Sequence, residues 1–117
     1  MRKIYHLANC TTCQRINKEL GGLEDFEKQN IKEDIITSQQ LEEMKQMAGS
    51  YEALFSRRAM KYKAWGLKEK NLQEEDYKKY ILEEYTFLKR PVVIIDDKIF
   101  VGNTKKTVEA TYNCLCQ

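Results

Sequence analysis

Along this 117-residue chain the spacing of apolar positions shifts between the strand period of two and the helix period of three to four. Residues 3–7 are short, partly apolar and β-prone, which predicts a strand. Ile16 and Leu20 then mark a helix that the pair Gly21-Gly22 closes. Residues 24–31 alternate weakly through Phe26 and Ile31, as a half-buried strand does. Thr37-Ser38-Gln39-Gln40 has the form of a capping box, and Leu41, Met44 and Met47/Ala48 follow at helical spacing up to Gly49. Between residues 50 and 67, Tyr51, Leu54, Phe55, Tyr62 and Trp65 predict short helical pieces ending near Gly66. Tyr77, Tyr80/Ile81 and Tyr85 define one further helical face.

The only proline, Pro91, opens the continuous apolar run Val92-Val93-Ile94-Ile95, which suits a buried strand whose first residue tolerates a proline. Asp96-Asp97 turns the chain into Lys98-Ile99-Phe100-Val101 before Gly102, and Val108, Thr111/Tyr112 and Leu115 define a last helix. The order is β-α-β, helices, β-hairpin, α. It predicts an α/β protein with a mixed sheet and one domain over residues 1–117, without repeat or flexible linker.

Composition narrows the function classes. Hydrophobic residues make up 42% and charged residues 32%, a globular balance. The net charge of +2 implies no general attraction to nucleic acid or to a membrane surface. No apolar stretch approaches the roughly 20 residues of a membrane span, and the first residues lack the apolar core of a signal peptide. A cytoplasmic protein is expected. The four cysteines form two tight pairs, Cys10/Cys13 and Cys114/Cys116, and without a secretory signal such pairs point to redox or metal chemistry before a disulfide scaffold.

Cys10-Thr11-Thr12-Cys13 stands just after a predicted strand and at the start of a predicted helix. Unpaired N–H groups and the positive end of the helix dipole favour a thiolate there, and Cys10 is the sulfur best placed to feel them. Cys13 lies one helical turn on, close enough to attack a mixed disulfide formed at Cys10. Half of a zinc site is the competing reading. It would need two more ligands from Cys114, Cys116 and His6, with a C-x-C spacing tighter than zinc sites use, so no metal and no cofactor are expected. Positions two apart on a helix diverge, so Cys114 and Cys116 should not bridge each other.

The pattern Ile4-Tyr5-His6-x-x-x-Cys10-x-Thr12, followed by Tyr62-x-x-x-Gly66-Leu67-Lys68 and Phe87-Leu88-Lys89-Arg90-Pro91-Val92-Val93-Ile94, resembles the arsenate reductase-like family. That family includes the Spx-like transcriptional regulators. The resemblance runs from about residue 3 to residue 115. It implies a thioredoxin-like (glutaredoxin-like) fold with a helical insertion over about residues 37–84, and a cis bond before Pro91 facing the catalytic cysteine. Cys10 then matches the catalytic cysteine, His6 the histidine four residues before it, and Arg90 the arginine of the Arg-Pro pair. Arg58 matches an arginine common in the Spx-like branch, with Arg57 beside it as an alternative. Thr11, Thr12, Arg58, Pro91 and His6 would line the substrate position. Forked guanidinium donors suit a tetrahedral oxyanion and lower a neighbouring thiol's pKa.

Departures from the family pattern shift the expected chemistry. Where arsenate reductases carry a Cys-Gly-Thr-Ser-Arg-like loop, this chain has Thr11 for the Gly, Cys13 for the Ser and Gln14 for the Arg. The region of Val101-Gly102-Asn103 also lacks a further arginine. The expectation is a thiol-dependent oxidoreductase with Cys10 as nucleophile and Cys13 as resolving cysteine. Its substrate would be a small oxyanion or disulfide, and its reductant thioredoxin, glutaredoxin or a low-molecular-weight thiol. The alternative is an Spx-like redox-responsive regulator that binds the RNA polymerase alpha subunit through a surface around Gly49, for which a helix cap is the plainer explanation.

Overall fold

The computed structural model describes residues 2–7, 10–21 and 24–115, and the chain divides into two compact units, Met1–Asp34 with Arg90–Gln117, and Ile35–Lys89. Gly22 and Cys116, singled out in the sequence, lie outside the described residues. Among the described residues no helix is long and apolar enough to cross a membrane.

The first unit is built on four strands, β1 (Arg2–His6), β2 (Glu27–Asn30), β3 (Val92–Ile95) and β4 (Lys98–Val101), in the order β2-β1-β3-β4. β1 and β2 run parallel, which requires a crossover, and helix α1 (Thr11–Glu19) supplies it. β3 is antiparallel to β1, with Ile4 opposite Val93, and β4 is antiparallel to β3. All four residues of β3 are buried, as its unbroken apolar run predicts for an inner strand. The hairpin turns in two residues because Asp96 adopts the left-handed conformation at φ 56°, which its short polar side chain tolerates.

One face of the sheet carries Ile4, Val93 and Ile95, which pack with Ile16 and Leu20 of α1 and with Phe26. Phe100 and, from the helix Lys105–Leu115, Val108, Cys114 and Leu115 complete this cluster. Cys13, Ile16 and Leu20 recur at helical spacing and are all buried, so α1 is held by its apolar stripe. Each such aliphatic side chain contributes about 1.5–3 kcal/mol when fully buried.

The second unit contains helices α2 (Ser38–Ala48), α3 (Met60–Ala64) and α4 (Glu74–Glu83), with 3-10 turns between and after them. Thr37 and Gln40 form the capping box that the sequence predicts, with both bonds at 3.1 Å. Gly49 ends α2 at φ 100°, and its N–H donates to the Lys45 carbonyl at 2.8 Å. A Cβ at Gly49 would meet open space, so the left-handed backbone itself asks for glycine.

Tyr85 departs from the helical face predicted for it. α4 stops at Glu83, Glu84 is extended at φ −140°, and Tyr85–Phe87 form a 3-10 turn. The Ser56 N–H bonds the Phe87 carbonyl at 2.7 Å and the Lys89 N–H bonds the Leu54 carbonyl at 2.9 Å. These pairings between distant segments, together with Lys61 held on the Glu84 carboxylate at 2.6 Å, override the local helical period. Phe55 sits among Tyr62, Tyr77 and Phe87, with ring centroids 4.9 to 6.0 Å apart.

Candidate active site

The C-terminal end of β1 delivers the chain to Leu7, whose carbonyl accepts the Cys10 N–H at 3.1 Å. Cys10 is the N-cap residue of α1, with extended backbone (φ −85°, ψ 120°), and its own carbonyl accepts the first helical bond from Gln14 at 2.9 Å. Sulfur is a diffuse acceptor and closes no formal side-chain cap. Partial burial acts to raise the Cys10 pKa, but it is outweighed by the backbone N–H of Cys13, the Cys13 thiol, the backbone N–H of Thr12 and the charge of Arg90, so that the thiol titrates below its ordinary value.

Cys13 has the opposite character. It is 2% exposed, and burial is the main cause pushing its pKa up to about 11. The Leu7 N–H and the Arg90 charge pull the other way, while the neighbouring Cys10 adds to the rise. The two sulfurs share a hydrogen bond that favours the anion on Cys10 and the proton on Cys13. Cys10, Cys13 and Cys114 are free thiols.

Arg90 and Pro91 reach this site from the far end of the chain, through the loop that enters β3. Their peptide bond is cis, Pro91 is buried, and its carbonyl accepts the Gly102 N–H at 2.9 Å. The half-buried Arg90 acts through space on both sulfurs, and its Nη1 is buried with no hydrogen-bond partner among the described residues. A buried guanidinium donor without a partner is costly and is suited to an incoming acceptor.

Thr11 is exposed as the first residue of α1, and Thr12 is half-buried and contributes its N–H to Cys10. His6, the last residue of β1, pairs with Asn30 of β2, and its carbonyl accepts the Ile31 N–H at 3.0 Å. Burial, followed by the charge of Lys28, lowers its pKa below the ordinary histidine value. Arg58 belongs to the second unit, exposed on the turn before α3. Arg57 is engaged within that unit, paired with Glu52 at 2.6 Å and donating to the Tyr77 hydroxyl at 2.9 Å. Among the described residues no group of three or more His, Cys, Asp or Glu side chains converges in a geometry that could hold a metal ion.

Leu7 carries no signal in the sequence, because what it offers Cys13 is a backbone N–H. Asn17 was equally inconspicuous. Its Oδ1 is buried, and without a hydrogen-bond partner among the described residues, one helical turn beyond Cys13.

A β-α-β crossover, a β-hairpin and a closing helix, with a cysteine at the crossover helix's start and a cis-proline before the inner strand, define a thioredoxin-like fold. Within that class the chain belongs to the ArsC family, whose profile matches residues 5–111. Solved structures agree on the fold. An arsenate reductase from Vibrio cholerae is similar at a TM-score of 0.78 and 18% identity, over 93% of this chain and 95% of that one. SACOL0876 from Staphylococcus aureus COL gives 0.76 and 25%, over 94% and 97%. An ArsC-related protein from Brucella melitensis gives 0.72 and 21%, over 95% and 93%. No curated protein matches the chain by sequence.

Proposed function

We propose that this protein is a dithiol oxidoreductase, in which Cys10 attacks a disulfide or a small oxidised substrate and Cys13 resolves the product. The opposed titration of the two thiols carries this reading, with Cys10 below its ordinary range and Cys13 pushed up to about 11. At neutral pH the thiolate is concentrated on the more accessible sulfur. Cys10 forms the mixed disulfide, and one partner sulfur leaves as a thiolate that takes a proton from water. Once Cys10 carries no charge, its electrostatic hold on the Cys13 proton is gone. Cys13 then loses that proton to water, attacks Cys10 Sγ, expels the second partner thiol and closes the Cys10–Cys13 disulfide. Two electrons pass from the protein to the substrate. A reduced dithiol protein or a low-molecular-weight thiol returns them, which suits a reducing compartment.

The unpartnered Arg90 Nη1 supports a substrate group that is anionic or rich in acceptor oxygens. Arsenate chemistry fits less well, because Gln14 and the Val101-Gly102-Asn103 segment supply no further guanidinium. An anaerobic screen with arsenate and with disulfide substrates, comparing wild type, Cys10→Ser and Cys13→Ser, tests the reading. Loss of disulfide turnover in both variants is the expected result. Full turnover in Cys13→Ser would replace the internal disulfide by direct recycling with an external thiol.

A further inference from the structure

The total charge of +2 conceals an uneven distribution. Residues 57–70 carry six cations, Arg57, Arg58, Lys61, Lys63, Lys68 and Lys70, against the single carboxylate of Glu69. That is a local net charge of +5 in a chain that is net acidic elsewhere. Two of these cations are neutralised within the helical unit, Arg57 by Glu52 and Lys61 by Glu84, both at 2.6 Å. Lys63, Lys68 and Lys70 are exposed and have no acidic partner among the described residues.

The same segment exposes apolar side chains that no core explains. α3 buries none of its five residues. Met60 is 89% exposed and Trp65, just after the helix, 40%, which makes them two of the four large apolar side chains left exposed among the described residues. A helix this short does not hold itself. It is pinned from the inner side by Tyr62, whose ring meets that of Phe55 at 6.0 Å, and by Gly66, whose left-handed backbone at φ 66° turns the chain into the 3-10 turn Leu67–Glu69 with Leu67 buried. These anchors fix the backbone and leave Met60, Trp65 and the three lysines to solvent.

We propose that residues 57–70 form a docking surface for an acidic protein segment: an apolar side chain of the partner packs on Met60 and Trp65, and its carboxylates pair with Lys63, Lys68 and Lys70. Trp and Met are residue types that protein interfaces concentrate, and unpaired lysines around them select a partner of opposite charge. Stacking of a nucleobase needs an open aromatic face, whereas the Trp65 ring is crowded by Lys61 at 5.9 Å, Phe87 at 5.4 Å and Tyr80 at 6.0 Å. A membrane anchor needs a broad apolar face, which a five-residue helix with Met60 as its one exposed large apolar residue does not make. The surface uses neither Cys10 nor Cys13 and does not include Gly49.

Fluorescence anisotropy on the full-length protein tests the proposal, with a short fluorescein-labelled peptide of Asp and Glu residues around a central Leu-Phe pair as the probe. Binding is expected, and it should weaken as salt is raised. Combining Lys63→Glu, Lys68→Glu and Lys70→Glu should weaken it by about tenfold or more, while the three Lys→Arg replacements should keep it within about twofold. Met60→Ser should cost about fivefold, the loss of one apolar anchor. All of these side chains are exposed, so the variants should fold as the wild type does. No binding of the peptide by the wild type, or an unaltered affinity in either the Lys→Glu or the Met60→Ser protein, overturns the proposal. Tighter binding to labelled oligothymidylate, or to vesicles of phosphatidylserine and phosphatidylcholine, than to the peptide overturns it in favour of a nucleic acid or a membrane.

Discussion

The two compact units are stabilised in different ways. In the sheet unit, branched aliphatic side chains of β1, β3 and α1 stack on one face, and strand pairing carries the long-range order. The helical unit is organised by aromatic rings around Phe55 and by charged side chains that tie its segments together. Glu74, for instance, accepts the Tyr51 and Glu52 N–H groups at 2.8 and 3.1 Å, and Lys78 pairs with Glu42 at 3.0 Å. The sheet unit also holds both sulfurs that titrate away from their ordinary values, with Arg90 and the cis-proline, whereas the helical unit contributes Arg58 alone to the residues singled out for substrate contact. A sheet brings residues from opposite ends of a chain to one place and holds them there by its register.

The sharpest way to break this contrast is to remove the ring on which the helical unit depends. Phe55→Ala leaves Tyr62, Tyr77 and Phe87 around a void and should cost about 3–5 kcal/mol in urea unfolding. A loss under about 1 kcal/mol would show that the rings are not what holds this unit.

A second test falls on the buried sulfur of the sheet unit. A thiol raised to about 11 in the folded state ionises first in the unfolded chain. The unfolded state therefore binds fewer protons between the ordinary thiol range and about pH 11, and stability must fall as pH rises through that window. Alkaline unfolding curves of Cys13→Ala should lack that portion of the slope.

Arg90→Gln removes the charge that acts on both sulfurs. The rate of Cys10 alkylation against pH should move to higher pH, with a lower rate at neutrality, while Arg90→Lys should retain part of the depression. Superimposable profiles for the three proteins would limit the activation of Cys10 to the start of α1. The smallest effect belongs to the helical unit's local order. Thr37→Ala breaks the capping box of α2 and should cost about 1 kcal/mol in thermal unfolding, with no change in the Cys10 profile.

Most of this architecture was legible in the residues. The strand at β3 followed from four consecutive branched apolar residues after a proline, α2 from a capping box and a closing glycine, and the crossover helix from Ile16 and Leu20. Tyr85 was misread because a side-chain period reports which face is buried and says nothing of a backbone drawn aside by Ser56 and Lys89. The position of Cys10 was legible as well, since a cysteine at the start of a helix is a local feature.

The sequence by itself determined that a cysteine begins a helix after a strand, that a second cysteine lies one turn away, and that an Arg-Pro pair opens an apolar strand. Those statements depend only on spacing and propensity. Only the tertiary structure decided that the two thiols differ in kind, because burial of Cys13, the amides aimed at Cys10 and the reach of Arg90 depend on segments brought together by pairing β1 with β3. A thiol's pKa is set by what surrounds it in space, and the sequence records only its neighbours along the chain.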